Sequence, residues 1–532
     1  MSTSLTGTGA LVRLALRRDR VLLPVWAVVL VGSAASSASA TADLYPTVAS
    51  RLGAAETING TPALVALYGR IFDPTSVGSL ALFKLSALGP VLLAGLAIVL
   101  TVRHTRAEEE AGRLELVGAA VVGRRAPLAA AVAVALLSVV AIGLVTALAM
   151  IGAGLPAGGS FALGLGWAGC GAVFCAVAAV TAQLATTGRT ANGLAGMVLA
   201  AAYVLRAAGD ASGPDGAAWL SWLSPVGWAQ QMRAFAGERW WVLVLPAAVA
   251  AAGLGGACVL AARRDLGAGL LPDRPGAATA ATRLRSPLAL AFRLQRTALL
   301  AWTLSFVLLG GILGAITSSV SSLLASPQAQ DLITKLGGSA GLTDAFLAAE
   351  LGIAAIVATV FGVQAAGRLG AEEVEGHSEA ALATAATRQS WALAYVTVSL
   401  LGTTVLMLCA GTAAGLVRTM QTHHWSDVGR ILAGAVVQLP AIWLVTAIVV
   451  AAFGFSPRWV VVGWVALGVF LLLGEIGPVV GLDQKVIDLS PYAHVPRLPG
   501  GDADPASLAW LLGIGAVLVV GGLVAFRRRD VG

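Results

Sequence analysis

The chain has 532 residues, of which 58% are hydrophobic and only 11% are charged, whereas about 25% of residues are charged in soluble domains. The mean hydropathy is +0.85, and a soluble protein of this size could not bury so much apolar surface. The net charge is +7, but no basic tract is interleaved with aromatic residues, so we expect no nucleic-acid partner. The composition predicts an all-α integral membrane protein in contact with the lipid bilayer.

The N-terminus resembles a signal peptide, because Arg13, Arg17, Arg18 and Arg20 precede an apolar stretch that ends in small residues. The segment LRRDRVLLPVW at 16–26 nevertheless recurs as FRLQRTALLAW at 292–302. A cleaved leader would not recur in the middle of the chain. We therefore expect the first apolar stretch to be retained as a membrane span.

Twelve apolar runs approach the length that crosses the roughly 30 Å hydrocarbon core at about 1.5 Å per helical residue. The run at 193–208 is the shortest and carries Arg206. The expected spans are 21–42, 79–102, 127–153, 161–187, 193–208 and 240–262 in the first half, and 298–320, 345–367, 391–417, 431–454, 459–477 and 506–526 in the second.

Most of the 34 Lys and Arg residues fall in loops on the side of the N-terminus. The positive-inside rule then predicts a multi-pass protein of the cell membrane with both termini in the cytoplasm. An even number of spans makes the two halves parallel six-helix transmembrane repeats. We expect a first half at 1–262, a cytoplasmic linker at 263–291 and a second half at 292–532. The halves end alike, in Arg264-Asp265-Leu266-Gly267 and Arg529-Asp530-Val531-Gly532.

The clearest repeat is a pair of acidic segments, each after the second span of its half. EEEAGRLELVGAAVVGR at 108–124 and EEVEGHSEAALATAATR at 372–388 align without a gap at an offset of 264 residues. The matched residues are Glu108, Glu109, Gly112, Glu115 and Arg124 with Glu372, Glu373, Gly376, Glu379 and Arg388.

On a continuous helix, Glu109 would face Arg113, whereas Glu375 and Glu379 would repel each other. This predicts unpaired acids in the second copy that await basic residues. Each segment is either a solvated loop helix or a docking helix for a cytoplasmic partner. Repetition at a fixed offset favours docking.

A tryptophan-rich stretch precedes the last span of the first half. Five of the 14 tryptophans lie in WLSWLSPVGWAQQMRAFAGERWW at 219–241, and tryptophan concentrates at membrane interfaces. We predict short interfacial helices on the outer side, broken at Pro225, with Trp222 and Trp228 beside the break. The copy at 478–503, with Pro491 and Tyr492, is either equivalent or an ordinary outer loop.

A basic face precedes the first span. Arg13, Arg17 and Arg20 have helical spacing, which favours the inner membrane surface; the alternative is a topology signal alone. Four charges fall within spans, and such residues are functional candidates by default. They are Lys84, Arg206, Glu350 and Glu475. All four lie toward the outer ends, where their side chains can reach the interface.

Several motifs are missing from the sequence. No G-x-x-x-x-G-K-[ST] phosphate loop occurs, so we expect no ATP site in this chain. The four cysteines lie in apolar runs and suit buried hydrophobes. His423-His424 with Asp427 does not define a metal geometry. We therefore expect neither a metal nor a cofactor here, and no catalytic residues.

The acidic segments, the basic N-terminal helix and the stretch ending in LSPVGWAQQMRAF together resemble the permease subunit of ABC-2 type exporters. The resemblance covers the whole chain. It is strongest to the fused twelve-span actinobacterial group, the tetronasin or polyketide antibiotic exporter type. Its most specific part is the E-E-x-x-G-x-x-E-x(8)-R pattern in each half.

The resemblance implies an all-α fold with cytoplasmic coupling helices, a basic elbow helix and outer re-entrant helices. It also implies two copies of a separately encoded ATPase that bind ATP and Mg²⁺, so that this chain is not itself an enzyme. The coupling residues would be Glu108, Glu109, Glu110, Gly112, Arg113, Glu115, Glu372, Glu373, Glu375, Gly376 and Glu379. The outer gate would hold Trp222, Pro225, Trp228, Pro491 and Tyr492.

We expect export of hydrophobic or amphiphilic compounds, because few charges line the spans. The resemblance implies ATP-driven export of antibiotics or multiple drugs. Two alternatives belong to other classes. One is an ion-coupled secondary transporter, in which Glu350 or Glu475 would be essential. The other is a membrane scaffold that transports nothing.

Overall fold

The computed structural model describes residues 3–213, 216–265, 267–271, 279, 281, 284–323, 338–476, 483–501 and 504–530. Every regular element within these ranges is helical. The chain forms two compact units, Met1–Gly276 and Ala277–Gly532. Twelve helices in the described ranges are long and apolar enough to cross a membrane, six in each unit. The all-α membrane class predicted from composition is confirmed.

The first unit contains six long helices and several short ones. They are α1 (Thr8–Arg18), α2 (Leu22–Leu44), α3 (Val48–Asn59), α4 (Pro62–Tyr68), α5 (Val77–Ala81), α6 (Phe83–Arg103), α7 (Arg106–Glu110), α8 (Arg113–Gly118), α9 (Ala126–Gly152), α10 (Ala157–Leu184), α11 (Gly188–Ala211), α12 (Pro225–Gln231) and α13 (Val244–Arg263). Short 3₁₀ helices, Ala218–Leu223 and Trp240–Leu243, flank α12.

The second unit has its six candidate spans in the same chain order. Its first three long helices exceed those of the first unit, whereas its fourth span is divided between two helices. The helices of this unit are α14 (Pro287–Leu323), α15 (Gly338–Val374), α16 (His377–Leu382), α17 (Arg388–Thr422), α18 (Ser426–Val436), α19 (Leu439–Phe455), α20 (Val461–Leu471), α21 (Gln484–Ile487) and α22 (Pro505–Arg528). A single-turn 3₁₀ helix, Pro491–His494, precedes α22.

Helix α10 lies at the centre of the first unit, where it packs against α6, α9, α11 and α13. Its glycines allow this packing. A Cβ atom at Gly164 would lie 2.1 Å from the carbonyl oxygen of Gly143 on α9. Trp167 fills the space beside Gly89 of α6 and is 1% exposed. Small residues therefore bring the α9 and α10 backbones into contact, as is common between membrane helices.

Helices α17 and α19 form the core of the second unit, α17 against α14 and α19 against α15 and α22. A Cβ atom at Gly522 of α22 would lie 2.5 Å from the carbonyl oxygen of Val450 on α19. Three aromatic side chains, Trp391, Phe453 and Phe526, join the same helices with ring centroids 4.9 to 6.4 Å apart. This aromatic cluster lies at the end of α22 that carries Arg529.

Two expectations from the sequence need correction. The fifth span is a full 24 residues, Gly188–Ala211, and not the short run at 193–208. Arg20 lies beyond the end of α1, so the basic face does not extend over one helix as predicted. In the second unit no break separates the basic stretch from the span, because α14 is continuous from Pro287.

A buried carboxylate lies at the break between α1 and α2. Asp19, which is 0% exposed, ends α1 and lies 2.5 Å from His104 Nε2, just after α6. Arg103 is 3.4 Å from the same carboxylate. The contact ties the basic helix to the end of the second span. Gln295 occupies the matching position of the repeat, within the continuous α14.

Candidate functional site

Each acidic segment bends at a glycine with left-handed backbone. Gly112 has a φ of 70° between α7 and α8, and Gly376 has a φ of 75° between α15 and α16. A residue with a Cβ atom is strained in this region, whereas glycine adopts it freely. The repeated glycine therefore ends one helix and starts another at the same point in both units.

This bend overturns the expected pairing of Glu109 with Arg113. Arg113 instead donates to Glu108, with Nε and Nη2 at 2.7 and 2.9 Å from the carboxylate oxygens. Arg18 of α1 binds the same carboxylate at 2.5 Å. The hydrogen bond and charge of Glu108 raise the pKa of Arg113. Glu108 thus joins the basic helix to α8.

Glu109 points away from α1 and α8 and is bound at the end of α13, the sixth span of the first unit. Arg264, next after α13, donates to both of its oxygens at 2.6 and 2.7 Å. Arg106 lies at 2.9 Å, and the Gly267 N–H donates at 2.6 Å. The Glu109 side chain is only 4% exposed. Two-point pairs between arginine and carboxylate hold geometry as well as charge.

The second unit contains the same pair, so the expectation of unpaired acids there is wrong for Glu373. Arg529 donates to Glu373 at 2.7 and 2.8 Å, and its guanidinium stacks on Phe453 and Phe526. Glu372 also has partners, Arg368 at 2.7 Å and His377 at 3.2 Å. Glu375 lies 3.3 Å from His377.

A third residue completes the arrangement in each unit. Arg124 donates to the backbone carbonyl of Arg264 at 3.4 Å, and Arg388 donates to that of Arg529 at 2.7 Å. We call each set of three the glutamate clamp. The first clamp is Glu109, Arg124 and Arg264; the second is Glu373, Arg388 and Arg529. Each clamp joins the acidic segment to the start of the third span and the end of the sixth.

Glu110 makes a separate connection in the first unit. Its carboxylate accepts the N–H of Gly188, the first residue of α11, at 2.9 Å. Three consecutive glutamates therefore contact three different parts of the unit: α1, the end of α13 and the start of α11. The acidic segment of the first unit therefore connects several of its helices.

Several residues beyond each glycine are exposed and form the tips of the segments, although Ser378 is buried. Leu116 is 76% exposed and Val121 88%, beside the exposed Glu115. In the second unit, Glu379 beyond Gly376 is also exposed, and Val374, two residues before that glycine, is 66% exposed. Of the acids predicted for docking, Glu109 and Glu373 thus lie in the clamps, whereas Glu115 and Glu379 are exposed at the tips.

Comparison with known proteins identifies the family of the chain. Residues 284–527 match the family described as "Multidrug efflux system permease Rv1217c, C-terminal domain". The chain is 41% identical to the "Multidrug efflux system permease protein Rv1217c" of Mycobacterium tuberculosis (strain ATCC 25618 / H37Rv), over 99% of this chain and 95% of that protein. The chain belongs to the Rv1217c family of efflux permeases. The predicted permease class is confirmed at this level.

The tryptophan-rich stretch of this permease lies at the end of the first unit opposite the glutamate clamp, where it packs against the spans. Trp228 donates its indole N–H to the carbonyl of Trp222 at 2.6 Å, and Trp222 stacks on Trp241 at 5.7 Å. Pro225 is the first residue of α12, capped by Ser224. The buried Ser224 hydroxyl also donates to the Ala202 carbonyl of α11 at 2.7 Å.

In the second unit, Pro491 and Tyr492 lie at the matching Ser-Pro step. Pro491 is buried, and the Tyr492 hydroxyl is 2.6 Å from that of Thr359 on α15. Burial raises the pKa of the Tyr492 phenol. The stretch is therefore attached to the second span of its unit and is more than a surface loop.

The four charges within spans have different environments. Arg206 is fully buried and does not reach the surface as expected: it donates to the carbonyls of Ala66 and Leu67 at 2.7 and 3.1 Å. Lys84 is exposed, with its amine 6.0 Å above the ring of Tyr68. Glu350 is half-buried, and the side chain of Glu475 lies outside the described residues. Within the ranges the structure describes, no group of three or more acidic, histidine or cysteine residues could hold a metal.

Proposed function

We propose that this permease is the membrane subunit of an ATP-driven exporter that moves hydrophobic or amphiphilic compounds, including antibiotics, out of the cell. Its relative is named as a multidrug efflux system permease, and the spans carry few charges. We assign ATP and Mg²⁺ to two copies of a separate ATPase. We also propose that it belongs with the tetronasin-type exporters, in the cell membrane with cytoplasmic termini.

The observation that carries this proposal is the glutamate clamp with its exposed tip, present once in each unit. An ATPase that pushes on a tip would move a rigid junction and not a free loop. In the first unit, force on α8 reaches α1 through Glu108 and α13 through Glu109. The clamp and Glu108 would therefore transmit movement from one contact to several helices at once.

The docking surface is the set of exposed tip residues, because the clamp carboxylates are already paired. Charge reversal at Glu109 would break a buried pair, so that a loss of ATPase binding after it would be ambiguous. Leu116 offers a cleaner site. Its counterpart in the second unit is Ala380, which is smaller. The first tip therefore presents more apolar area, and we expect the two ATPase contacts to differ in strength.

The test is co-purification of the permease with its ATPase after the exposed leucine is changed. Leu116→Asp should reduce co-purification of the ATPase to the amount that the unchanged second tip retains and lower stimulated ATPase activity by about tenfold or more, since one central interface residue often dominates binding. Trp425→Asp is the control, because Trp425 is 75% exposed and lies at the other end of α17 from the acidic segment. Unchanged binding by the Leu116 variant would reject the docking role.

Reconstitution distinguishes the rival classes. The permease with its ATPase should export compounds from proteoliposomes only when ATP is supplied. Export by the permease alone, driven by a proton gradient, would make it a secondary transporter. A well-folded complex that hydrolyses ATP but moves no compound would instead support a scaffold.

A further inference from the structure

A cavity of about 40 Å³ lies in the first unit at the end opposite the glutamate clamp. It forms where the segment after α4, the start of α6, helix α10 and the turn after α12 meet. Its polar and aromatic lining includes Arg70, Phe72, Trp167, Gln230, Arg233 and Phe235. We call it the arginine cavity. A volume of this size holds one carboxylate-sized group, about the space of a few waters.

Its two arginines, Arg70 and Arg233, are half-buried. Within the described part of the chain, neither Arg70 nor Arg233 has a carboxylate within 4.0 Å. The Nε–H group of each is buried without an acceptor. Asp210 is close enough to Arg70 to interact electrostatically, but its direct contacts are Ser221 at 2.6 Å and Arg206 at 3.5 Å. Burial, together with the nearby Arg239, lowers the pKa of Arg233.

The remaining lining adds donors and aromatic surface but no acid. Trp167 is 1% exposed, and its indole N–H has no acceptor among the described residues. The Arg233 guanidinium lies 4.8 Å from the centre of the Phe72 ring. Buried donors without acceptors are costly, so the site is complementary to a group that brings negative oxygens. The aromatic rings provide contact for an apolar body.

The turn that carries Arg233 is held in a strained shape. Arg233 and Phe235 have φ values of 51° and 62°, although neither is glycine. Phe235 is wedged between two glycines, since a Cβ atom at Gly78 or Gly159 would come within 2.5 Å of its ring. Gln230 donates to the Tyr68 carbonyl at 2.9 Å. Such strain persists only where surrounding contacts impose it and is concentrated at ligand sites.

We propose that the arginine cavity binds the anionic group, a carboxylate above all, of an amphiphilic compound whose apolar part lies along the aromatic residues. If the permease exports amphiphilic compounds as proposed, the arginine cavity is a subsite for acidic substrates on the outer side. The arginines come from connecting segments and not from the spans, which is why the low charge of the spans did not reveal them.

Binding to the permease alone tests the site without requiring transport. We would titrate 2-naphthoate and the uncharged 2-naphthamide into permease reconstituted in nanodiscs of phosphatidylcholine, with empty discs as the blank. Naphthoate should bind the native protein more tightly than naphthamide. Arg233→Gln should weaken naphthoate binding by about tenfold or more, as expected for loss of a charge-assisted contact, and leave naphthamide binding unchanged. Arg70→Gln should act in the same direction.

Three comparisons can overturn the assignment. Arg239→Gln removes a nearby positive charge that does not line the cavity. If this variant loses as much naphthoate affinity as Arg233→Gln, the naphthoate responds to the overall positive charge of the region and not to a specific contact with Arg233. Arg233→Lys keeps the positive charge and should retain part of the naphthoate affinity. If this variant has native thermal stability but binds naphthoate no better than Arg233→Gln does, the charge of Arg233 is not responsible for binding. Loss of naphthoate binding when phosphatidylglycerol is added to the discs would make this a lipid site. Loss of ATP-driven export with binding intact would reject the proposed function alone.

Discussion

Glu373 and Arg529 form a two-point ion pair at the junction of the acidic segment and the last span, with N–O distances of 2.7 and 2.8 Å. The equivalent pair, Glu109 and Arg264, has distances of 2.6 and 2.7 Å. Both arginines belong to the Arg-Asp step that ends each half of the sequence. The two repeated motifs are therefore partners in one structure, repeated once in each unit.

Removing one member of this pair should destabilise the permease strongly. In Glu373→Gln the Arg529 guanidinium keeps its stacking on two aromatic rings but loses its buried counter-ion, which typically costs about 3–5 kcal/mol. The thermal midpoint in detergent should fall by several degrees. Arg529→Gln should have a similar effect, and the double variant should lose less than the sum of the two.

Arg528→Gln is the matched control for the arginine. It removes the same charge one residue earlier, from an exposed side chain, and should change the midpoint little. Additive losses at Glu373 and Arg529 would mean that the two residues are not coupled, which would contradict the ion pair.

The bend at the repeated glycine gives a second prediction. Gly112→Ala and Gly376→Ala should each cost about 1 kcal/mol, because a Cβ atom disfavours left-handed backbone. A Cβ atom at either residue would have no other atom within 4 Å, so a clash cannot be the cause. Gly118→Ala, which also has open space but no positive φ, should be neutral. Thermal melting of the three variants separates strain from packing, and equal effects at all three would reject the strain explanation.

The sequence predicted the membrane class, the spans and the repeated acidic segments, because hydropathy and internal repetition are local properties. It did not predict which charges pair. A helical spacing rule joined Glu109 to Arg113, but the bend at Gly112 breaks that helix. The true partner, Arg264, lies 155 residues away and is found only once the spans are packed. The repeated Arg-Asp endings were visible in the sequence, yet nothing local linked them to the glutamates.

The arginine cavity could not be predicted for a related reason. Arg70 and Arg233 are isolated in the sequence and fall outside the expected spans, so neither stands out as a charge at membrane depth. Their proximity depends on Phe235 fitting between Gly78 and Gly159. Arg206, which does stand out in the sequence, has a structural role, because its guanidinium binds backbone carbonyls at the end of α4.

The Tyr492 hydroxyl predicts a specific coupling in the second unit. Tyr492→Phe and Thr359→Val should each lower stability by about 1 kcal/mol, the usual net value of a buried hydrogen bond. The pair should be measured as a double-variant cycle by thermal melting. Because each change removes the same contact, the double variant should be little worse than the more harmful single one. If the stability losses of the two single variants add fully in the double variant, the two hydroxyl groups do not share a hydrogen bond.

The orientation of the chain gives the last prediction, which uses cysteine labelling in a variant without its four native cysteines. Leu116→Cys places an exposed thiol on the first tip, and Trp425→Cys places one beyond the far end of α17. If the tips face the cytoplasm, an impermeant maleimide should label the thiol at position 116 only in inside-out vesicles and the thiol at position 425 only in right-side-out vesicles. The reverse pattern would invert the topology and remove the tips from reach of a cytoplasmic ATPase. Labelling of both positions in the same vesicles would mean either that α17 does not cross the membrane or that the two acidic segments face opposite sides, and either result would contradict the predicted parallel halves.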